Sequence, residues 1–198
     1  MEIVLASHNA HKVREVAAIL NFWKVLSLKD IGYSAEIEET GKTFAQNALL
    51  KAGTIAGAIN KIVLADDSGL EIKCLHGAPG IYSARYAGVG ATKEMLCNKV
   101  LKEMEQATDR SAQFHCVMAL VDPLKNISKT FEGIVKGQII HEMKGQNGFG
   151  YDPIFFVPSK NKTMAEMSEQ EKNLLSHRFR ALEQVKIYIQ EHYLGDDK

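Results

Sequence analysis

Ile62-Val-Leu-Ala-Asp-Asp-Ser-Gly69 decides the architecture of this chain. Its first four residues are apolar without alternation, the pattern of a strand covered on both faces. Two adjacent carboxylates and a turn-prone Ser-Gly follow, and Leu70 to Lys73 reads as a return strand. A strand covered on both faces needs helices, and the chain on either side supplies them. Upstream, Glu2-Ile-Val-Leu-Ala-Ser7 is a short buried strand, followed from Asn9 by a helical stripe of Val13, Val16, Ala17 and Leu20. Lys24 to Leu28 is a second strand. Thr43-Phe-Ala-Gln46 has the capping-box form and opens a helix running to about Ile59. Downstream, the spacing predicts a helix over 91–107, long strands over 111–121 and 128–140, and a C-terminal helix carrying Phe179, Leu182, Val185 and Ile189. Strands alternate with helices early and cluster in the middle. The pattern is that of an α/β chain with a mixed sheet in two lobes.

The chain has 198 residues and a mass of 22.0 kDa, which suits one domain of two closely joined lobes spanning residues 1–198. Lys+Arg and Asp+Glu each number 24, and neither half is a basic arm or an acidic tail. That balance excludes nucleic acid and anionic membrane as the expected partners and leaves a small charged ligand open. No run approaches the ~18–20 apolar residues of a membrane-spanning helix. The start of the chain lacks the basic region and the apolar length of a signal peptide. Cys74, Cys97 and Cys116 show no CxxC spacing, so they read as reduced thiols of a cytoplasmic protein.

Four motifs carry chemistry. Ser7-His-Asn-Ala-His-Lys12 sets a polar turn between a strand end and a helix start, where backbone amides, the helix dipole and Lys12 can seat a phosphate. It has no glycine and is no Walker loop, and it also reads as an ordinary turn capped by Asn9. Glu38-Glu39 and Asp66-Asp67 offer the oxygen ligands that Mg²⁺ prefers. Neighbours on a strand point to opposite faces, so one of Asp66 and Asp67 enters any given site, and the apolar residues before them leave open which. In Gly145-Gln-Asn-Gly-Phe-Gly-Tyr-Asp152 the glycines permit close backbone approach, Phe149 and Tyr151 can stack on a flat ring, and Asp152 can accept from a ring N–H. Ser168 and Glu171 form a second capping box. On an unbroken helix Lys172, His177 and Arg178 would diverge; a break near 174–176, with Ser176 capping a new helix, would bring His177 and Arg178 to its start beside Lys172.

In this order and at these separations the motifs resemble the inosine triphosphate pyrophosphatase family, enzymes that hydrolyse dITP, ITP and XTP. The resembling stretches are Ser7-His-Asn-Ala-His-Lys12, Glu38-Glu-Thr-Gly-Lys-Thr-Phe44 with Asn47-Ala48 and Lys51-Ala52, and Leu64-Ala-Asp-Asp-Ser-Gly69. They continue with Gly77-Ala-Pro-Gly-Ile-Tyr-Ser-Ala-Arg85, Phe149-Gly-Tyr-Asp-Pro153 and Ser176-His-Arg178. The resemblance implies a two-lobed α/β fold with a long mixed central sheet flanked by helices, a nucleotide cleft between the lobes, and a homodimer. It implies that Ser7, His8, Asn9, Ala10, His11 and Lys12 hold the triphosphate with Lys51. Asp67 would be proton acceptor and Mg²⁺ ligand, Glu39 (or its neighbour Glu38) the second metal carboxylate, and Ser68 a substrate contact. Phe149, Gly150, Tyr151, Asp152, Lys172, His177 and Arg178 would form the base and sugar-phosphate pocket. The implied reaction is attack of water on the α-phosphorus, giving a nucleoside monophosphate and pyrophosphate.

Residue chemistry is compatible with that assignment. Arg178 can donate to a purine 6-keto oxygen and Asp152 can accept from N1–H. Adenine reverses both, at roughly 1–3 kcal/mol per mismatch. Guanine shares both groups, so its rejection rests on the pocket around the 2-position. Two other readings compete. One is a nucleotide pyrophosphatase of the septum-inhibitor (Maf) type, against which the 149–152 and 176–178 stretches argue. The other is a catalytically silent nucleotide-binding regulator, against which Glu39, Asp67, Lys12 and Lys51 argue.

Overall fold

The computed structural model describes residues 1–35 and 37–194, without the side chain of His11. Among the described residues, seven strands form one mixed sheet: β1 (Glu2–Leu5), β2 (Lys24–Ser27), β3 (Val63–Ile72), β4 (Ser111–Asp122), β5 (Ile127–Ile139), β6 (Phe155–Val157) and β7 (Lys162–Thr163). Their order is β2-β1-β3-β4-β5-β6-β7. β1 runs parallel to β2 and to β3, with Ile3 opposite Val25 and Val4 opposite Val63. β6 is antiparallel to β5 and β7. The helices are α1 (Ala10–Ile19), α2 (Phe44–Ile59), α3 (Lys93–Glu103), α4 (Glu169–Asn173) and α5 (His177–Tyr193). None of the described helices is long and apolar enough to cross a membrane.

The chain divides into two compact units. The first comprises Met1–Asp67, Cys116–Gly133 and the chain from Arg178 onward. Its core joins Ile3, Leu5 and Leu64 to Val16 and Leu20 of α1 and to Leu182, Val185 and Ile189 of α5. These two helices therefore cover the sheet face to which Leu64 points. α2 buries Phe44, Asn47, Ala48, Ala52, Ile55 and Ala56, and its small alanines let it lie close. In sheet order, β1–α1–β2 departs to one side of β1 and α2 returns the chain to the other. The carboxyl ends of β1 and β3 thus form a topological switch point.

The second unit comprises Ser68–His115 and Ile134–His177. Its core packs Leu70, Ile72, Phe114, Val135 and Phe155 against Leu96, Val100 and Met104 of α3 and its continuation.

The expected elements lie close to where the pattern places them, with three differences, and the short strands β6 and β7 have no counterpart in the pattern. β3 does not turn at Asp66–Gly69 but runs unbroken to Ile72; both carboxylates find partners where they stand, so the chain need not leave the sheet to solvate them. α3 is shorter than 91–107, because the Thr92 hydroxyl accepts the Met95 N–H and fixes the start at Lys93. At α2 only half the capping box forms: Thr43 Oγ1 accepts the Gln46 N–H at 3.1 Å, while Gln46 Oε1 accepts from Lys42 N–H at 2.7 Å. The Ser168–Glu171 box is complete, and of the two alternatives left open by the sequence the chain takes the break, between Asn173 and His177.

Candidate active site

In the first unit, Ser7, His8 and Asn9 form the turn after β1, and Ala10 opens α1 with Lys12 in its first turn. Asn9 caps the helix: its Oδ1 accepts the Lys12 N–H at 3.4 Å, and its own N–H donates to Ser7 Oγ at 3.1 Å. His8 is exposed, and the side chain of His11 lies outside the described residues.

Alternation along β3 sends the two aspartates to different helices. Asp66 is 2% exposed and points as Leu64 does, toward α1 and α5. Lys12 Nζ lies 2.8 Å from its Oδ2, and Arg178, itself 4% exposed, donates to the same oxygen from Nη2 at 3.3 Å and from Nε at 3.4 Å. Glu15 completes the group by accepting from Arg178 Nη1 at 2.8 Å. Burial opposes the charge on Asp66, but Lys12, Arg178 and Lys51 outweigh it and hold the carboxyl well below the ordinary carboxylate range. The same carboxylates, against burial, raise Arg178 further above its ordinary value.

Asp67 points to α2. Its Oδ2 accepts from Asn47 Nδ2 at 3.1 Å, and Lys51 Nζ, one helical turn further on, lies 3.5 Å from Oδ1. Lys51 also donates to Glu39 Oε1 at 2.6 Å, whereas Glu38 is exposed. Burial pushes Asp67 above its ordinary value; Lys51 and Asn47 pull against it and Glu39 reinforces it. Burial would lower Lys51, but Asp67, Asp66 and Glu39 together raise it. The pair is unequal: one lysine gathers three carboxylates, while Asp67 feels burial and a second acid. A carboxylate biased toward holding a proton beside a firmly charged lysine can take a proton from water next to an anionic ligand.

Among the described residues no group of three or more His, Cys, Asp and Glu side chains gathers to hold a metal. Two carboxylates, Glu39 and Asp67, converge on the Lys51 ammonium. Hard oxygen donors already arranged about a cation fit Mg²⁺, which typically takes one or two protein carboxylates and completes its shell with water and substrate phosphate.

In the second unit, residues 145–153 make a tight loop organised by Asp152. Its buried Oδ2 accepts the Phe149 N–H at 2.8 Å and a charge-assisted bond from Lys172 Nζ. Gly148 (φ +73°) is required there, because a Cβ would sit 2.0 Å from that oxygen. Phe149 is 55% exposed, with Lys172 Nζ 4.4 Å from its ring centre. Tyr151 is 3% exposed and donates its hydroxyl to the Ser83 carbonyl at 2.7 Å. Of the two rings read as stackers, Phe149 alone presents itself to solvent; Tyr151 anchors the loop. The Gly150 carbonyl accepts from Cys97 Sγ at 3.4 Å, and Ser68 is half-buried in β3. His177 lies flat on Phe114, ring centres 5.0 Å apart.

Three participants carry no role in the sequence reading. Glu15 pairs with Arg178 across 163 positions, a contact no local pattern reveals. Ser83 ties β3 to the turn at 80–85, accepting the Leu70 N–H at 2.9 Å. Asn47 did carry a signal: it stands four residues before Lys51 on the apolar stripe of α2, where an amide is out of place unless it is bonded.

The geometry defines an α/β protein whose lysines and carboxylates gather at the carboxyl ends of parallel strands, where such folds take phosphorylated ligands. The Ham1 family profile matches residues 3–188. A Bacillus licheniformis protein named dITP/XTP pyrophosphatase is 50% identical over 188 residues, covering 93% of this chain and 95% of its own. A Staphylococcus epidermidis protein of the same name is 47% identical over 96% of both. The solved Staphylococcus aureus Ham1 protein superposes with a TM-score of 0.91 at 43% identity, over 96% of this chain and 99% of that one. The chain belongs to the Ham1 family.

Proposed function

We propose that this protein hydrolyses non-standard purine nucleoside triphosphates (dITP, ITP and XTP) to the nucleoside monophosphate and pyrophosphate, clearing them from the nucleotide pool. The observation that carries the reading is the Asp67–Asn47–Lys51–Glu39 cluster beside β1 and α1, in a chain whose full-length relatives bear the name of that activity. Family membership favours it over the septum-inhibitor type and the silent regulator.

In this reading Asp67 accepts a proton from the attacking water as the water oxygen bonds to the α-phosphorus. The bond from that phosphorus to the α–β bridging oxygen breaks, and pyrophosphate departs with that oxygen. Lys51, fixed against Glu39 and Asp67, offsets charge on the phosphates. Lys12 and the turn from Ser7 to His11 hold the chain of phosphates at the start of α1. Glu39 and Asp67 would hold Mg²⁺, which when bound neutralises phosphate charge and polarises the reacting phosphoryl group. Ser68 contacts the substrate. Phe149 stacks on the base, Lys172 and Asp152 fix the loop that carries it with Gly150 and Tyr151, and His177 and Arg178 complete the assignment. A homodimer acting in the cytoplasm belongs to the same proposal.

The test is incubation of the protein and Mg²⁺ with ITP, XTP, dITP, GTP and ATP in separate samples, the products separated by chromatography. IMP and pyrophosphate from ITP, with GTP and ATP largely spared, is the expected result. IDP and phosphate would overturn the reaction, and equal turnover of all five would overturn the selectivity.

A further inference from the structure

Asn47 is wholly buried in α2, 0% exposed, on the apolar stripe formed with Ala48, Ala52 and Ile55. A buried amide is costly unless both its ends are bonded, and here each end has a different partner. Its Oδ1 accepts the Gly41 N–H at 2.8 Å, and its Nδ2 donates to Asp67 Oδ2 at 3.1 Å. The first bond dictates the second. A backbone N–H can only donate, so the amide oxygen must face Gly41 and the NH₂ must face Asp67. Residue 41 has to be glycine for this, since a Cβ there would lie 2.5 Å from Asn47 Oδ1 and 2.9 Å from the Asn47 nitrogen. Two residues before Gly41 stands Glu39, on Lys51. One side chain thus ties the segment bearing Glu39 to the carboxylate of Asp67.

We propose that Asn47 is a positioning residue for the reaction, holding Asp67 in a single orientation with Oδ2 bound and Oδ1 turned to Lys51. The proposal rests on the reading of Asp67 as proton acceptor and metal ligand. Free of the amide, the carboxylate would rotate about its own axis, and the oxygen meant for water and cation would be there only part of the time.

The test compares Asn47→Ala, which loses both bonds, with Asn47→Asp, which keeps the acceptor for Gly41 but offers Asp67 no amide N–H. Both are assayed on ITP, with melting curves to establish folding. Both should lose about 10–100-fold in kcat while KM stays within about threefold. Mn²⁺ alone, titrated into nucleotide-free protein and followed by electron paramagnetic resonance, should bind Asn47→Ala about 10–100-fold more weakly than wild type. A merely structural amide predicts otherwise: Asn47→Ala, once its melting curve shows it folded, would keep wild-type kcat, and that result overturns the proposal. Wild-type Mn²⁺ affinity in folded Asn47→Ala overturns it too. Asp67→Asn, run alongside, separates the two readings. If Asp67→Asn turns over normally, the role of Asp67 and this proposal fall together; if it is inactive while Asn47→Ala is normal, this proposal falls alone.

Discussion

Neutralising Asp66 tests the electrostatic logic of the first unit. Asp66→Asn keeps the shape of the side chain and removes its charge, leaving Lys12, 2.8 Å away, and Arg178, 3.3 Å away, without their shared carboxylate. Removing one partner of a buried ion pair costs about 3–5 kcal/mol, because the charge left behind is uncompensated. Two features place this site near the lower end. Lys12 is partly exposed and can turn to water, and Arg178 keeps Glu15 at 2.8 Å. A loss of about 3 kcal/mol in a chain of this size lowers the melting midpoint by roughly 6–12 °C. Calorimetric scans of wild type and variant across pH give a second, independent reading. The folded Asp66 carboxyl titrates below its ordinary value of 3.8. Its contribution is therefore fully present above that pH and is lost as pH falls through the lower folded value. The gap between wild type and variant should stay constant from neutrality down to about pH 4 and close only in stronger acid. A gap under about 1 kcal/mol at neutral pH, or one that already closes between about pH 7 and 5, would show that Asp66 is not the buried anion on which Lys12 and Arg178 depend.

Asp67→Asn should fold normally, bind nucleotide, and lose about 10²–10⁴-fold in kcat on ITP, the range of a positioned general base; single-turnover assays at wild-type rate would remove Asp67 from the role. Phe149→Ala deletes a half-exposed ring, so its melting midpoint should hardly move, while KM for ITP rises by the equivalent of about 1–3 kcal/mol of stacking; an unchanged KM would take Phe149 out of base binding. Tyr151→Phe removes only the hydroxyl bonded to the Ser83 carbonyl. It should destabilise the protein by about 1–2 kcal/mol, seen as a midpoint roughly 2–8 °C lower, and an unaltered melt would show that the bond does not hold the loop.

What could be read from the sequence was whatever depends on near neighbours in the chain. The stripe on α2 and its Thr43 cap, and the long strands expected at 111–121 and 128–140 and found at 111–122 and 127–139, follow from local periodicity and capping chemistry. The pattern ends the strand at Asp66 and Asp67, because two acids before Ser-Gly carry every local mark of a turn. Their partners are far away: Lys12 at 54 residues, Arg178 at 112, Asn47 at 20. Tyr151 likewise takes its place from a distant partner. An aromatic beside glycines looks exposed until the Ser83 carbonyl, 68 residues away, claims its hydroxyl.

The adjacency of Asp66 and Asp67 is what the switch-point topology makes useful. In an antiparallel meander one of two neighbouring strand acids faces the core and the other water, and only one has protein partners. Here α1 and α5 cover one face of β3 while α2 lies against the other, so both acids are buried and both are met by helices. The meetings differ in kind. α1 and α5 bring two cations to Asp66, which keeps its charge and serves to fix Lys12 and Arg178. α2 brings one lysine and one neutral amide to Asp67, and burial then outweighs them and raises its proton affinity. A structural anion and a carboxylate suited to taking a proton thus come from two identical residues, separated by one peptide bond and the two-residue period of a strand. Exchanging their surroundings should exchange their behaviour: Asn47→Lys would lower the proton affinity of Asp67 toward that of Asp66, and turnover that depends on a proton-accepting Asp67 should then fall while nucleotide binding persists.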